Sequence, residues 1–490
     1  MKHLTKYALT ALILTAVVCS CGDSTGEGTQ NTGAVTDNTT GTVTETSADE
    51  YGYPELDCGG EALRILNASN TWGTYYNLDF EATTGESLDD IIYERNRGIE
   101  ERFNTELSVT EYDIDEVTTH FTTVIMSGED LYDVTYLRAD TMPTPLTEGM
   151  FYNLNEYDGF SFDEPWWDST VVDGGVIGDD GALFFASNYF SLFSFDTTVC
   201  VYFNEAMYSK LDIEYPYQLV REGKWTLDKF YEYARMGANT NGDSSFDWSE
   251  NGNATYGVTT WSNGVHALLG GAEAYYLWME NGEPVVKVTD EHYSDVAASL
   301  VDNLLSVDGV FAMFNVNDNT RPDHYEVMFR NGRTMMTVAQ IKTSARFRDM
   351  EDSFGILPLP KYDEAQKNYS CYISSTQLLM GMPITSVTPD RTAVLMDALA
   401  YESYRDVLPV YYEVKVSQKG LRNDDSIEML DIIRGSRYTN FGEVFGWTNS
   451  LQSSIYNKLI AGSADIASVI ASGIKTVETN IEKTMDLVNG

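Results

Sequence analysis

Short apolar runs alternate with segments of helical periodicity along most of this chain. Four runs have the length and composition of buried strands, at residues 63–66, 134–137, 182–185 and 199–203. Runs of this length that lie between polar, turn-forming segments favour β-strands over helices. The first part of the folded chain is therefore predicted to begin with a strand at residue 63.

Helical periodicity and capping residues mark the intervening segments. Ser87 and Asp90 form the pattern of a capping box, and Thr226 is placed to cap a helix with Trp225 packed on Phe230. Apolar residues share one face of the helix after Ser87: Leu88, Ile91, Ile92, Ile99 and Phe103. Helices are predicted from Ser87 and over residues 227–236, 294–305, 391–404 and 463–488. Such alternation of strands and helices predicts α/β lobes with mostly parallel sheets.

The first residues have the pattern of an export signal. Lys2 and Lys6 precede an apolar stretch at residues 8–18 that is too short for a permanent membrane helix. The run Val18-Cys19-Ser20-Cys21 resembles a bacterial lipobox, although Cys19 is unusual in its position. We predict a lipoprotein signal peptide at residues 1–20, with Cys21 as the lipidated first residue of the mature chain. A buried N-terminal helix is the alternative.

The segment that follows is predicted to be a flexible tether over residues 21–57. Residues 22–50 contain eleven Ser or Thr together with Gly, Asn and acidic residues, and almost no apolar side chain. The alternative of a packed N-terminal helix is disfavoured because this neighbouring segment offers it nothing apolar to pack against. The sequence thus predicts a folded body held outside the cell by a lipid and a tether.

Composition excludes several partners. The formal net charge of the 490-residue chain is −44, from 31 Lys and Arg against 75 Asp and Glu, so nucleic acid would be repelled. The same charge disfavours binding of the folded body to an anionic membrane. The length suggests two large lobes or about three domains. The 32 Tyr, 21 Phe and 8 Trp supply enough apolar area for a large core.

Three cysteines besides Cys19 and Cys21 are spaced without any metal or redox motif. They are Cys58, Cys200 and Cys371, which allow at most one disulfide. We predict that all three are small buried apolar residues.

Six short motifs carry a resemblance to a known family. They occur in order at residues 132–134 (YDV), 149–154 (GMFYNL), 201–205 (VYFNE), 224–226 (KWT), 329–336 (FRNGRTMM) and 354–360 (FGILPLP). Each motif is weak alone, but the ordered set behind a lipoprotein signal resembles the extracellular solute-binding proteins of the sugar-binding class, the maltodextrin-binding (family 1) type. The resemblance covers nearly the whole mature chain.

The resemblance implies a fold and its boundaries. The expected fold class is α/β, a two-lobed type II periplasmic-binding-protein fold with a hinge and an interlobe cleft. Lobe 1 is expected to comprise residues 58–170 plus about 374–415, and lobe 2 about 171–373 plus 416–490. In such proteins the lobes close over a ligand in the cleft.

Candidate ligand residues follow from their positions after strands and from the resemblance. Trp72 lies just after the first strand, where α/β proteins bind ligands, although it could instead close the lobe. Arg138 and Asp140 could bind sugar hydroxyls, or form a surface ion pair. Gln340 departs from the aromatic residue that the family usually has there. The complete set of candidates is Trp72, Tyr136, Arg138, Asp140, Asn188, Tyr189, Trp261, Asn263, Gln340 and Trp447, whereas Trp166 and Trp167 are expected to pack under the lobe junction.

A second group of residues has the spacing of a calcium loop. Oxygen donors occupy EF-hand positions 1, 3, 5, 7, 9 and 12 at Asn239, Asn241, Asp243, Ser245, Asp247 and Glu250. Ser244 replaces the usual glycine, Asn239 lacks the usual charge, and the residues after the loop look like a strand. A surface turn that needs no ion is the alternative. We expect a structural Ca²⁺.

These observations favour a binding protein over an enzyme. The sequence has no histidines at zinc spacing and no Gly-x-Ser-x-Gly element, and carboxylate pairs are uninformative among 75 acidic residues. The predicted function is that of a monomeric, lipid-anchored component of an ABC importer, on the extracellular face of the cytoplasmic membrane. It would bind a carbohydrate, most simply an oligosaccharide, and deliver it to permease subunits. The alternatives are a surface glycan-binding lipoprotein without a transport role and, less favoured, a secreted glycoside hydrolase.

Overall fold

The structure is a computed structural model. It describes residues 51–69, 77–246, 252–313, 324–416, 421 and 423–489.

Thirteen strands lie within the described residues. They are β1 (Ala62–Ser69), β2 (Glu106–Asp113), β3 (Val134–Arg138), β4 (Val199–Asn204), β5 (Tyr256–Thr260), β6 (Leu277–Glu280), β7 (Glu283–Val286), β8 (Phe311–Met313), β9 (Thr334–Gln340), β10 (Phe354–Leu357), β11 (Cys371–Ile373), β12 (Leu378–Gly381) and β13 (Arg437–Thr439).

Eighteen α-helices accompany these strands in the same described ranges. They are α1 (Ser87–Phe103), α2 (Val117–Ser127), α3 (Pro143–Thr147), α4 (Ser169–Gly175), α5 (Phe193–Asp196), α6 (Glu205–Lys210), α7 (Tyr217–Arg221), α8 (Leu227–Gly237), α9 (Asn263–Gly271), α10 (Glu291–Leu300), α11 (His324–Arg330), α12 (Ser344–Phe347), α13 (Pro389–Glu402), α14 (Leu408–Val416), α15 (Asp424–Gly435), α16 (Phe441–Val444), α17 (Asn449–Ile460) and α18 (Ala467–Asn489). Short 3-10 turns occupy Ala139–Thr141, Leu154–Glu156 and Ile341–Thr343, and π segments extend α10 and α13 at Val301–Leu305 and Ser403–Val407.

Two main sheets have the same internal plan. The first has the order β12-β3-β1-β2, in which β1, β2 and β3 are parallel and β12 is antiparallel to β3. The second has the order β10-β4-β9-β5-β8, in which β9, β5 and β8 are parallel and β4 is antiparallel to β9 and β10. In each sheet, therefore, three parallel strands are followed by one antiparallel strand.

The antiparallel strand explains how the two lobes are connected. The chain enters the second sheet through β4, after completing β1 to β3 of the first sheet, and returns to the first sheet through β12. Each sheet thus contains one strand that arrives directly from the other lobe. This arrangement gives the two-lobed α/β class that was expected. The expectation of mostly parallel sheets is wrong for the second sheet, which has two parallel and two antiparallel strand pairs.

The predicted elements are largely confirmed, with local corrections. Helix α1 begins at Ser87, but the capping box is wrong because Asp90 Oδ1 accepts hydrogen bonds from the backbone N–H groups of Thr84 and Gly85, at 2.7 and 3.1 Å. Trp225 packs on Phe230 with ring centroids 6.0 Å apart, as expected at the start of α8.

The predicted strand at residues 182–185 is wrong. This segment makes a single isolated bridge, from Ala182 to Ile177, and the next residue, Ala186, bridges to Met380. Its apolar side chains are buried because they contribute to the first-lobe core, which needs no strand ladder.

Each lobe has its own apolar core. All six residues of β4 are buried, as expected for a strand covered on both faces. Cys58, Cys200 and Cys371 are buried free thiols, as predicted, and burial raises the pKa of the Cys371 thiol to about 11. These thiols are therefore structural residues.

A buried carboxylate joins several parts of the first lobe. Asp397, which is 1% exposed, accepts hydrogen bonds from the indole N–H groups of Trp166 and Trp167, at 3.1 and 2.7 Å. It also accepts from Tyr51 Oη and from Ser161 N and Oγ, at 2.9 to 3.0 Å. Trp166 and Trp167 thus serve packing within the first-lobe core, and Asp397 satisfies their polar atoms.

Candidate functional site

The two segments that cross between the lobes are hydrogen-bonded to each other. Thr198, which precedes β4, forms an antiparallel bridge with Ile373, and Ser374 N donates to Thr197 O at 3.1 Å. The crossing segments are therefore paired side by side, where the shared axis of a two-lobed protein would lie. We call residues 374–377, which run from this bridge into β12, the hinge segment.

The first lobe reaches the hinge segment through the carboxyl end of β3. Ala139 N donates to Gln377 O and Asp140 N donates to Ser375 O, both at 2.9 Å. In open α/β sheets, ligands bind outside the carboxyl ends of the strands. The hinge segment is thus fixed to the edge of the first sheet at which a ligand would be expected.

The second lobe reaches the same segment through two side-chain amides. Asn263 Nδ2 donates to Ser374 Oγ at 3.4 Å, and Gln340 Nε2 donates to Thr376 Oγ1 at 3.4 Å. Asn263 begins α9 just after β5, and Gln340 ends β9. Three of the predicted ligand residues therefore contact the hinge segment, Asp140 through its backbone N–H and Asn263 and Gln340 through their side-chain amides.

Trp261 lies beside this group. Its ring is half-buried and stacks on Tyr325 with centroids 5.9 Å apart and an interplanar angle of 24°. Trp261 and Asn263 both come directly after β5 in the chain, and part of the Trp261 indole is exposed. They combine an aromatic face with hydrogen-bonding groups, which suits a sugar ring and its hydroxyls.

Arg138 and Asp140 pair with each other. Arg138 Nε and Nη2 donate to Asp140 Oδ1 and Oδ2 at 2.9 and 2.6 Å, and its Nη1 donates to Asp115 at 2.6 Å. Burial raises the pKa of Asp140 in spite of this partner. The guanidinium is thus committed to carboxylates, and it orients Asp140 as a bidentate partner does.

Tyr136 and Asn188 are placed deeper than a surface ligand site requires. They are 1% and 4% exposed, and Tyr136 Oη donates to Asn188 Oδ1 at 3.4 Å. The same oxygen accepts from Phe190 N at 3.2 Å, whereas Asn188 Nδ2 is buried without a hydrogen-bond partner in the described part of the chain. This amide supports the segment that leads toward the first crossing.

The other predicted residues are dispersed. Tyr189 is half-buried against Tyr404, with centroids 5.7 Å apart. Trp447 is 2% exposed, stacks on Phe445 and donates its N–H to Thr484 Oγ1 at 2.9 Å, so it packs in the first-lobe core. Trp72 lies outside the described residues.

Sequence analysis missed the hinge segment itself. Ser374 and Thr376 bond each other at 3.2 Å between their hydroxyl oxygens, and each also contacts an amide from the second lobe. The signal was available as a polar run, Ser374-Ser375-Thr376-Gln377, between two apolar runs that become β11 and β12.

Glu443 is a further acidic residue that was missed. Tyr372 Oη donates to Glu443 Oε2 at 2.6 Å and accepts from Ser375 N at 3.1 Å. Burial, together with the negative charge of Asp140, raises the pKa of Glu443 to about 7. A protonatable carboxyl group is thus linked to the hinge segment by two hydrogen bonds through Tyr372 Oη.

The calcium-loop candidates are only partly described. Asp243 accepts hydrogen bonds from Asn253 N, Asn253 Nδ2 and Ala254 N at 2.6 to 2.9 Å, which lowers the pKa of its carboxyl group. Asn239 Oδ1 accepts from Asn241 N at 2.8 Å, while Asn241 Nδ2 donates to Asn253 O at 2.9 Å. Ser245 is described, but Asp247 and Glu250 lie outside the described residues.

These contacts do not by themselves form a calcium cage. Both carboxylate oxygens of Asp243 face N–H groups of the returning chain, so their lone pairs are already partly used. Within the described ranges, no three His, Cys, Asp or Glu residues are placed to hold a metal ion.

The fold of this chain is similar to that of several solved structures. No protein-family model matches the chain, and no curated protein matches it. Solved structures do match over most of both chains. The galacto-N-biose/lacto-N-biose I-binding protein of an ABC transporter from Bifidobacterium longum, in complex with lacto-N-biose, has a TM-score of 0.58 at 13% identity, covering 87% of this chain and 98% of its own. The chain has the two-lobed fold of solute-binding proteins.

Two more solute-binding proteins show the same likeness. The maltose/maltodextrin-binding domain from Bdellovibrio bacteriovorus, bound to maltotriose, has a TM-score of 0.54 at 14% identity and covers 86% of this chain and 100% of its own. An ABC substrate-binding protein from Listeria monocytogenes, in complex with cycloalternan, has a TM-score of 0.53 at 14% identity and covers 87% and 99%. The solute-binding fold therefore extends over nearly all of each relative.

No helix among the described residues has both the length and the apolar character that crossing a bilayer requires.

Proposed function

We propose that this protein is the substrate-binding component of an ABC importer and that it binds an oligosaccharide between its two lobes. The observation that carries the proposal is the convergence of Asp140, Asn263 and Gln340 on the hinge segment. A ligand that contacts residues from both lobes stabilises one relative position of the lobes over others. Binding at this place would thus be coupled to closure.

The chemistry at the hinge favours a neutral, hydroxyl-rich ligand. Amide and hydroxyl groups of Asn263, Gln340, Ser374 and Thr376 both donate and accept hydrogen bonds, as sugar hydroxyls do. Trp261 offers an aromatic face for the C–H side of a sugar ring. Saccharides are also the ligands named for the three solved structures that share the fold.

The proposed mechanism is noncovalent. An open protein would admit the ligand, exchange the weak 3.4 Å amide contacts at the hinge segment for contacts to sugar hydroxyls, and close. The closed form would then deliver the ligand to permease subunits. Lipidation at Cys21 would hold the protein at the extracellular face of the cytoplasmic membrane, with the tether giving it reach.

We also retain a structural Ca²⁺ at residues 239–250 as a proposal. The ion would be held by Asp247 and Glu250 together with oxygens of the first half of the loop, and it would supply charge neutralisation for a turn rich in acids. Its role would be to order the connection between α8 and β5.

A thermal-shift experiment on the mature protein tests the proposed function. The probes are neutral oligosaccharides (malto-, xylo-, manno- and chito-oligosaccharides), with tripeptides and spermidine for comparison. A ligand at a hundredfold excess over its Kd stabilises the folded state by about 2.7 kcal/mol, which raises the melting temperature. At least one oligosaccharide series should produce this shift.

Variants connect the shift to the hinge site. Trp261→Ala and Gln340→Ala should each weaken sugar binding about tenfold, which is about 1.4 kcal/mol. The matched control is Gln218→Ala, an exposed glutamine that bonds Glu222 on the surface, and it should bind as wild type does. Stabilisation by peptides or spermidine alone would overturn the proposal, as would release of a chemically altered sugar.

A further inference from the structure

Two adjoining cavities lie around Trp278 on β6. The larger, of about 550 Å³, is lined by residues from 273–280, 287–293, 368–370 and 435–438. The smaller, of about 350 Å³, is lined by residues from 169–174, 277–279 and 437–441. Trp278, Arg437 and Tyr438 line both cavities. Together they form a groove that passes over one tryptophan.

This groove is distinct from the hinge site. None of Asp140, Asn263, Gln340 and the hinge segment lines either cavity. The groove is instead built by the β6–β7 hairpin, the start of α10, β13 and α4. A ligand in the groove would therefore leave the hinge site free.

Trp278 forms an aromatic wall between the cavities. Trp278 is 39% exposed, more than any other tryptophan in the described ranges. The ring lies 4.6 Å from that of Tyr275 with an interplanar angle of 31°, and 6.5 Å from that of Tyr438. An indole held by two aromatic neighbours and still open to a cavity is a rigid apolar platform.

The polar lining of the larger cavity supplies hydrogen-bond acceptors. Glu273 is partly buried, and its carboxylate has no hydrogen-bond partner among the described residues, while burial raises its pKa. Asp290 precedes α10 but does not cap it with its side chain. Both carboxylates can accept from ligand hydroxyls. Lys287 is paired with Glu280 at 2.8 Å.

We propose that the groove over Trp278 is a second saccharide-binding site, for a neutral oligosaccharide whose sugar rings stack on the indole. Each cavity has a volume typical of small-molecule sites. A chain of several sugar units can occupy both cavities by crossing Trp278. This site does not depend on the function proposed for the hinge site, although holding a long glycan on the same molecule would raise its effective concentration there.

The test separates the two sites by mutation. Isothermal titration with maltoheptaose, xylohexaose, mannohexaose and cellohexaose is carried out on the mature, hinge-disabled protein, in which Gln340→Ala and Trp261→Ala together should weaken binding at the hinge site about a hundredfold. One of these sugars should still bind. Adding Trp278→Ala should weaken that remaining binding at least tenfold, whereas Trp278→Phe, which keeps an aromatic face, should retain most of it. Glu273→Gln should weaken it several-fold.

A chemical readout supports the assignment to Trp278. Oxidation by N-bromosuccinimide reaches exposed indoles first, so the bound sugar should slow oxidation at Trp278, located by peptide mass spectrometry. Unchanged sugar binding after Trp278→Ala in the hinge-disabled protein would overturn the second site and leave the hinge proposal intact. Absence of any sugar binding in the hinge-disabled protein, or protection of Trp278 only by spermidine or peptides, would also overturn it.

Discussion

Glu443 illustrates how a single side chain reflects its surroundings near the hinge. Burial of its carboxyl group and the negative charge of Asp140 raise the pKa of Glu443 to about 7, while the hydrogen bond that it accepts from Tyr372 acts in the opposite direction. A carboxyl group whose pKa is raised on folding binds protons more tightly in the folded state. Its contribution is therefore complete below the unfolded pKa of about 4.5 and is lost as pH rises through 7.

Replacing Glu443 by Gln should change the pH dependence of stability. The amide keeps an acceptor for Tyr372 Oη but carries no charge, so Glu443→Gln should gain stability relative to wild type between pH 5 and pH 8. The expected relative gain is on the order of 1–3 kcal/mol. It is measured by urea unfolding at both pH values.

The control for this prediction is Glu478→Gln. Glu478 is exposed on α18, so its substitution should shift stability equally at the two pH values. The difference in free energy of unfolding between Glu443→Gln and wild type should change between pH 5 and pH 8. An equal difference at both pH values would contradict a raised pKa for Glu443.

Contacts between close neighbours in the chain were the easiest to anticipate. Arg138 and Asp140 are two positions apart, and their pairing was given as the alternative to the predicted ligand role. The environment of Trp447 depends instead on Thr484 in the last helix, which no local pattern indicates. Aromatic side chains serve both cores and binding sites, so only the packed structure separates the two uses.

At the scale of elements, the side chain of Asp243 connects the two ends of the loop between α8 and β5 by hydrogen bonds. Asp243 bonds the returning chain at Asn253 and Ala254, where β5 is about to begin, and Asn239 and Thr255 form an antiparallel bridge. The loop is therefore held by the Asp243 contacts whether or not the proposed calcium is bound.

Two substitutions separate these contributions. Asp243→Ala should lower the melting temperature both in EDTA and in Ca²⁺, because three N–H groups lose their acceptor. Glu250→Ala should lower it only in Ca²⁺, because Glu250 is expected to act only as an ion ligand. Differential scanning fluorimetry in both conditions measures the effects. A wild-type melting temperature indifferent to Ca²⁺, EDTA and Glu250→Ala would remove the calcium proposal.

Element boundaries were predicted best where a signal is contained within a few residues. Helix α8 begins after Thr226 and Trp225 packs on Phe230 as expected, since both signals are local, but the Thr226 side chain makes no capping hydrogen bond. The segment at residues 182–185 failed because its apolar pattern reports burial, and burial in a core does not require pairing with another strand.

At the scale of the molecule, each of the two sheets combines three parallel strands with one antiparallel strand that the chain enters directly from the other lobe. Strands β4 and β12 tie each lobe to the crossing segments, and the crossing segments bond each other at Thr198 and Ile373. Relative motion of the lobes is thereby directed to a few residues near the hinge segment, as hinge motions generally are.

Ligand binding should therefore change the shape of the molecule. Small-angle X-ray scattering of the mature protein should show a smaller radius of gyration with a saturating oligosaccharide than without it. The Gln340→Ala variant, at a sugar concentration that saturates only wild type, should keep the larger value. An unchanged radius of gyration for saturated wild type would contradict closure of the two lobes.

The sequence by itself determined the α/β class, the predicted helices and strands apart from residues 182–185, and the buried cysteines. These follow from periodicity, capping and position after a strand, which are written within a few neighbouring residues. Only the tertiary structure decided which residues meet: Asn263 and Ser374 bond across 111 positions, and Trp447 is buried rather than open. Such contacts depend on the pairing of distant strands and on competition among many similar side chains for the same core, which no local pattern records.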